Sequence, residues 1–249
     1  MTGGTDAAGP RPPRFLGGWA VGPDHPRAVD GEVHAWRIPL AAVEPSALTG
    51  LTDDERRRAG AFVRRGDGLR WAASRLALRG ILGRYLDVAP LEVRFERGRG
   101  GKPRAAGTDL QYNLTHSFDL AICAVGRTDL GVDVEKIRAA PMAAGVAAGI
   151  VSAAGPIRPG EAGSPELDWA FFHAWTRVES ALKATGEGLS AIDRRSPAWI
   201  RALAASGPAV VDGRRLLLVD LPVDEGYAGA IAIIGEAAVH AIQCWTWTG

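Results

Sequence analysis

Two acids, Asp133 and Glu135, stand two residues apart in the run Gly131-Val132-Asp133-Val134-Glu135. On an extended strand residues i and i+2 share a face, so both carboxylates project to one side while Val132 and Val134 project to the other. Two carboxylates that converge beside an apolar face need a cation, and Mg²⁺ binds through one or two carboxylates while keeping positions for water and phosphate oxygens. The same pattern also describes an edge strand with one solvated face. A third acid, Glu179, sits in Trp175-Thr176-Arg177-Val178-Glu179-Ser180-Ala181-Leu182-Lys183, with Lys183 one helical turn on. Taken alone, that pair is an ordinary helical salt bridge worth about 0.3 to 0.5 kcal/mol. Candidate phosphate-binding groups precede the acids: Arg58 and Arg70 in arginine-rich segments, Lys102 after Gly100 and Gly101, and His116 in Asn113-Leu114-Thr115-His116-Ser117.

These side chains need a scaffold, and hydrophobic spacing and capping residues supply its outline. Glu32 to Leu40 reads as a strand. Thr52 with Glu55 three residues later is a capping box, predicting a helix to about Arg65, and Asp67 is a candidate cap for a second helix through about Tyr85. Leu91 to Arg97 and Leu120 to Val125 read as strands, separated by a glycine turn at Gly98 to Gly101 and a second turn at Asn113 to Ser117. A further strand covers Leu130 to Glu135. Ser164 with Pro165 opens a long helix that Gly186 and Gly188 stop, and its Phe171, Phe172, Trp175, Val178 and Leu182 read as core. Strands follow at Arg215 to Leu221, Ala228 to Ile234 and Ala238 to Trp247. Element order therefore repeats at a spacing of about 100 residues, as in a duplicated α+β unit.

Composition narrows the function classes. The chain has 249 residues, and 29 basic against 28 acidic side chains leave a net charge of +1, which gives no field for nucleic acid or anionic membrane. Two cysteines, Cys123 and Cys244, are too few for a disulfide framework and fit a reducing compartment as buried free thiols. Residues 1–14 read as a disordered leader without the apolar core of a secretory signal. The uncharged stretch 139–157 is interrupted by Pro141, Gly145, Gly149 and Gly155, so it does not read as a membrane span. A soluble, cytoplasmic protein is expected.

Taken in order, Gly101-Lys102-Pro103, the Asn113 to Ser117 motif, Gly131 to Glu135, Trp175 to Lys183 and Gly186-Glu187-Gly188-Leu189 resemble the 4'-phosphopantetheinyl transferase superfamily, surfactin-synthetase type. The resemblance covers most of the chain. It implies a monomeric α+β fold of two similar halves related by a pseudo-twofold axis, residues 15–127 and 128–249. Each half would be a small, mainly antiparallel sheet packed with helices, with a coenzyme A cleft between them. It also implies that Asp133, Glu135 and Glu179 hold Mg²⁺ against the coenzyme A pyrophosphate and that Lys183 contacts phosphate. Thr115 with His116 would lie near the 3'-phosphate, and Lys102, Arg70 and Arg58 would make further coenzyme contacts. The implied reaction moves the phosphopantetheine arm to a serine of an acyl or peptidyl carrier protein of fatty-acid, polyketide or nonribosomal peptide synthesis, releasing adenosine 3',5'-bisphosphate. A carboxylate must take the serine proton: Glu179, or Glu135 through a water.

Three departures from the family pattern stand out. Val178 occupies a position that is usually lysine, with Arg177 about 100° away around the helix; Thr115 replaces serine but keeps the hydroxyl. The segment 139–163 is rich in alanine and glycine, and its Met142, Val146 and Ile150 form an i, i+4, i+8 stripe at a region that borders the carrier-docking surface in the family. A flexible linker over the cleft is the alternative reading of that segment. Two competing functions remain at this stage: a non-catalytic carrier- or coenzyme-binding paralogue, and a Mg²⁺-dependent phosphohydrolase built on the same three acids.

Overall fold

A computed structural model describes residues 13–41, 45–139, 150, 164–235 and 239–249. Two antiparallel-rich sheets stack face to face with helices outside them. The first sheet has the order β1-β11-β2-β6-β5, from Arg14–Val21 (β1), Ala241–Thr246 (β11), Glu32–Pro39 (β2), Leu120–Gly126 (β6) and Gln111–Ser117 (β5). β11 runs parallel to both β1 and β2, and the remaining pairs are antiparallel. The second sheet, all antiparallel, has the order β7-β10-β9-β8, from Leu130–Lys136 (β7), Tyr227–Ile234 (β10), Arg214–Asp220 (β9) and Gly207–Val211 (β8). A short pair, Phe95–Arg97 (β3) and Pro103–Ala105 (β4), lies apart. The described residues hold four helices: Asp53–Gly60 (α1), Arg65–Leu86 (α2), Pro165–Thr185 (α3) and Pro197–Ala204 (α4).

Three apolar layers hold this α/β/β/α stack together. Trp36, Ile38 and Cys123 of the first sheet pack on Leu78, Ile81 and Leu82 of α2. Val33 and Ile122 face Val132, Val134 and Ile231 across the space between the sheets. Phe172, Val178 and Leu182 of α3 cover Leu218 and Ala232 on the far side of the second sheet. Every one of these side chains is buried, and burial of such a side chain contributes about 1.5 to 3 kcal/mol. Ile150 is also fully buried, in the α3 layer, so it does not face a partner; Met142 and Val146 lie outside the described residues.

Several expected elements are corrected. Asn113 to Ser117 is part of strand β5 rather than a turn, because its alternate residues satisfy two different neighbours, as described below. Asp67 lies within the first turn of α2, which opens at Arg65 without a side-chain cap. α1 does have the Thr52–Glu55 capping box but ends at Gly60, before Arg65. Of Leu91 to Arg97 only Phe95–Arg97 is strand; Pro90–Glu92 is one turn of 3₁₀ helix, which leaves the Pro90 and Val93 carbonyls to accept from Arg79 Nη1 at 3.1 and 3.0 Å. Arg14 opens β1, whereas residues 1–12 of the expected leader lie outside the described residues. β11 starts at Ala241, later than expected, and leaves its sequence neighbours to join the first sheet. Both cysteines are free and buried. No helix among the described residues is long and apolar enough to cross a membrane.

Two buried ionisable groups make the fold acid-sensitive. Glu55 ties α1 to α2 by accepting from Arg75 Nε at 2.6 Å and from Arg79 Nε at 2.9 Å. Burial alone would raise its pKa, but hydrogen bonds from Arg79, Arg75 and the Thr52 backbone outweigh it and hold the carboxyl at about 2. His34 accepts from the Tyr85 hydroxyl at 2.5 Å when that hydroxyl itself accepts from Trp36, and burial pushes the imidazole down to about 4. Both groups therefore bind fewer protons folded than unfolded, so each contribution is complete above the unfolded pKa and is lost on acidification. His34 loses its share from about pH 6.5 to 4, and Glu55 from about pH 4.5 to 2. Each shift corresponds to about 3 kcal/mol. Urea midpoints measured across this range should fall in two limbs, and Glu55→Gln should erase the lower limb while lowering the midpoint at pH 7.

Candidate active site

Gly131 sets the geometry. A Cβ at this position would collide with the Ser180 carbonyl and the Ala184 nitrogen of α3 and come within 2.9 Å of the Lys183 carbonyl carbon. Only glycine lets the α3 backbone rest directly on β7, and Gly131, Asp133 and Glu135 all point to that side. α3 itself starts and stops as the sequence predicts. The Ser164 hydroxyl accepts from Leu167 N at 3.2 Å, Pro165 follows, and Gly186 closes the helix at φ 76°. Glu179 and Lys183, one turn apart on α3, thereby reach Asp133 and Glu135.

The three acids converge as expected, with one carboxylate oxygen of each of Asp133, Glu135 and Glu179 lying within 4.8 Å of the others. Lys183 Nζ is 2.6 Å from Asp133 Oδ1 and 3.6 Å from Glu179. Burial pushes the Asp133 carboxyl up, against the pull of Lys183. For Lys183 burial works in the other direction, but Asp133 and Glu179 outweigh it and keep the ammonium above its ordinary value. Asp133 Oδ2 is buried and has no hydrogen-bond partner among the described residues. An unpartnered buried carboxylate oxygen is costly, and here it lies beside two further carboxylates. This all-oxygen donor set with an unsatisfied oxygen fits a hard divalent cation such as Mg²⁺.

β5 holds the acids in place by side chains rather than by a backbone ladder. Asn113 Oδ1 accepts from Val132 N at 2.8 Å, Thr115 Oγ1 donates to Asp133 Oδ1 at 2.9 Å, and Ser117 Oγ donates to Glu135 Oε2 at 2.8 Å while accepting from Lys136 N at 3.1 Å. Every second residue of Asn113-Leu114-Thr115-His116-Ser117 thus stitches the edge of the first sheet to the edge of the second. Period two matches period two, and each charged acid gains a hydroxyl donor. Asn113 and Ser117 were not singled out from the sequence; reading both motifs as strands with matching alternation finds them.

The same alternation separates Thr115 from His116. His116 points toward α2 and lines a cavity of about 630 Å³ with Phe62, Arg64, Asp67 and Arg70. Desolvation, together with the nearby Lys183 and Arg70 cations, lowers its pKa. Arg70 is steered into this cavity by Asp119, which it meets at 2.9 Å through Nε. Lys102 lies on the turn whose Gly100 abuts the Gly186 carbonyl, but its Nζ donates to the Leu130 carbonyl at 2.6 Å. Arg58 is on the exposed side of α1, its guanidinium 5.2 Å from the Trp71 ring, outside both the acid cluster and the cavity lining. Val178 is fully buried in the α3 layer, and Arg177 is bound to Asp220 through two nitrogens at 2.7 and 2.5 Å. Neither offers a charge to the acid cluster.

A relative from Nostoc, the 4'-phosphopantetheinyl transferase HetI, is 33% identical over 227 residues, spanning 87% of this chain and 94% of the relative. The chain belongs to the 4'-phosphopantetheinyl transferase family. The Bacillus subtilis transferase Sfp is 26% identical over 57% of this chain and 63% of its own. AcpT of Salmonella typhi is 38% identical over 46% of this chain and 59% of its own. No family model matches the sequence. The cavity lined by Arg70 and His116 adjoins the Asp133, Glu135 and Glu179 cluster through β5.

Proposed function

We propose that this protein transfers the 4'-phosphopantetheine arm of coenzyme A to a serine hydroxyl of an apo acyl or peptidyl carrier protein, releasing adenosine 3',5'-bisphosphate. The observation that carries the reading is the convergence of Asp133, Glu135 and Glu179 in a chain of this family. Coenzyme A would lie between two similar halves, residues 15–127 and 128–249, with β11 lent back to the first sheet; we propose a cytoplasmic monomer. Asp133, Glu135 and Glu179 would hold Mg²⁺, which when bound offsets charge on the pyrophosphate oxygens. Lys183 adds a fixed ammonium beside the transferring phosphorus, preorganised by Asp133 so that it need not reorient as charge develops. Arg70 and, from the neighbouring turn, Lys102 supply cations for the coenzyme's remaining phosphate, and His116, its pKa lowered, offers a neutral ring N–H as hydrogen-bond donor. Arg58 can join them only by swinging off Trp71, and Thr115 acts indirectly, through Asp133.

Glu179 takes the serine proton in this scheme. Glu135 is less free, since Ser117 and Arg138 both bind its Oε2, and it would act through a water. The test is the intact mass of a purified apo carrier after incubation with this protein, coenzyme A and Mg²⁺. One added phosphopantetheine arm is expected, and its absence with Glu179→Gln. Near-normal turnover by Glu179→Gln with Mg²⁺ bound would remove Glu179 from both roles. A second reading, a coenzyme- or carrier-binding protein without catalysis, is favoured by buried Val178 and engaged Arg177. Coenzyme binding by calorimetry without any mass gain on any carrier would select it.

A further inference from the structure

We propose that Thr115 and Ser117 are positioning residues that make the carboxylate site prefer Mg²⁺ to Ca²⁺, each closing one oxygen of a neighbouring acid to any cation; the proposal rests on the metal site of the transferase reading above. Thr115 Oγ1 accepts from Lys183 Nζ at 3.2 Å, and Ser117 Oγ accepts from the Lys136 backbone N–H at 3.1 Å. Neither an ammonium nor a backbone N–H can accept a hydrogen bond, so each hydroxyl hydrogen is turned away from its donor. It runs from Thr115 to Asp133 Oδ1 at 2.9 Å and from Ser117 to Glu135 Oε2 at 2.8 Å.

Each of these two oxygens also takes a second donor. Lys183 Nζ reaches Asp133 Oδ1 at 2.6 Å, and Arg138 Nη1 reaches Glu135 Oε2 at 3.2 Å. A carboxylate oxygen has two lone pairs, so Oδ1 and Oε2 are filled. The other oxygen of each acid is open. Asp133 Oδ2 has no hydrogen-bond partner among the described residues, and every hydrogen bond that Glu135 accepts among them falls on Oε2, which leaves Oε1. The pattern is the same on both acids because alternate residues of β5 face alternate residues of β7.

One open oxygen per acid discriminates between cations. Mg²⁺ is small, demands near-octahedral geometry and keeps several waters, so single oxygens from separate carboxylates suit it. Ca²⁺ gathers about six to eight oxygens and commonly takes both oxygens of a carboxylate. With Oδ1 and Oε2 held by the hydroxyls, neither Asp133 nor Glu135 can supply its second oxygen. Loss of a hydroxyl reopens a lone pair for Ca²⁺ and loosens an acid that Mg²⁺ needs fixed, and outer-shell partners of this kind are worth about 10- to 100-fold in metal affinity.

The experiment titrates wild type, Thr115→Val, Ser117→Ala and Thr115→Ser with Mg²⁺ alone and with Ca²⁺ alone, reading the Kd of each cation from the rise in melting temperature. Ser117 also lines the cavity beside Arg70, so coenzyme and carrier are both left out and only the cation is read. Wild type should bind Mg²⁺ more tightly than Ca²⁺ by about tenfold or more. Thr115→Val and Ser117→Ala should each weaken Mg²⁺ about tenfold while holding Ca²⁺ within about twofold, and Thr115→Ser, which keeps the hydroxyl, should keep the wild-type ratio. Valine matches threonine in shape, so Thr115→Val carries the test should Ser117→Ala, which strips the Lys136 N–H of its acceptor, fail to fold. Equal weakening of both cations would reduce the hydroxyls to structural supports and overturn the proposal. A wild type that binds the two cations alike, or binds neither, would overturn it as well, and so would a Thr115→Ser protein that loses the ratio along with Thr115→Val. Should wild type and variants show the expected ratios yet wild type add no phosphopantetheine to any carrier, the transferase reading fails while the selectivity of the site stands.

Discussion

Asp133→Asn should reduce transfer about a thousandfold and abolish stabilisation by Mg²⁺, while the protein without added metal melts within a few degrees of wild type. Asparagine preserves the shape of the side chain and an oxygen to accept from Thr115 and Lys183, so the stitch to β5 survives. What disappears is the charge of the most buried of the three acids, together with the unpartnered Oδ2. Removing a desolvated charge favours the folded state, and losing the Lys183 partner opposes it, with Glu179 still 3.6 Å from the ammonium. These terms offset each other, so the metal-free stability moves little. A metal that binds only the folded state stabilises by about 2.7 kcal/mol at a hundredfold excess over its Kd, or about 5 to 10 °C for a chain of this size. Melting wild type and variant with and without Mg²⁺ thus separates the metal site from the reaction: a variant that still gains the full shift would move the metal away from Asp133.

The parts of this site that local chemistry dictates could be read from the sequence. Asp133 and Glu135 share a face because strands have period two, and Ser164, Pro165 and Gly186 bound α3 because helix ends must satisfy their orphan backbone groups. Contacts remote in sequence were harder to read. β1 is recognisable only through its pairing with β11, more than 200 residues later, and carries Gly17 and Gly18 in its middle, where glycine normally argues against a strand. β8 begins Gly207-Pro208, which reads as a breaker, and α4 is short; both are fixed by packing on α3 and β9. The Asn113 to Ser117 run looked like a turn because its polar residues have no visible partner nearby; their partners are on β7, 18 or 19 positions on. Arg177 and Val178 show the same limit. The wheel angle placed Arg177 off the acid stripe, but only the register of β9, which sets Asp220 opposite Ala230 and hence in line with Asp133, shows what engages it.

Gly131→Ala should damage both stability and turnover through a single methyl group. The added carbon would meet backbone atoms of α3 at Ser180, Lys183 and Ala184, and helix backbone cannot swing aside as a flexible side chain can. α3 would have to lift from β7, opening contacts of Val178, Ala181 and Leu182 in the layer beneath. Overpacking of this kind costs about 1 to 3 kcal/mol, occasionally more, and here the upper end applies because the whole helix moves. A loss of about 3 kcal/mol lowers the melting temperature by roughly 6 to 12 °C. The chemical effect should exceed the stability effect. Glu179 and Lys183 ride on α3 while Asp133 and Glu135 stay with β7, so a lift of about 1 Å separates the acids from one another and breaks the 2.6 Å Lys183–Asp133 contact. Misplacement on that scale costs about a hundredfold in rate. At a temperature where the variant is still fully folded, turnover should therefore fall about a hundredfold with a parallel weakening of Mg²⁺ stabilisation, whereas Gly60→Ala, at a helical glycine of α1 with open space around its Cβ position, should leave both within a few fold. A folded Gly131→Ala protein with wild-type turnover would show that α3 need not touch β7 for the reaction, and the assembly of the site by close backbone approach would be wrong.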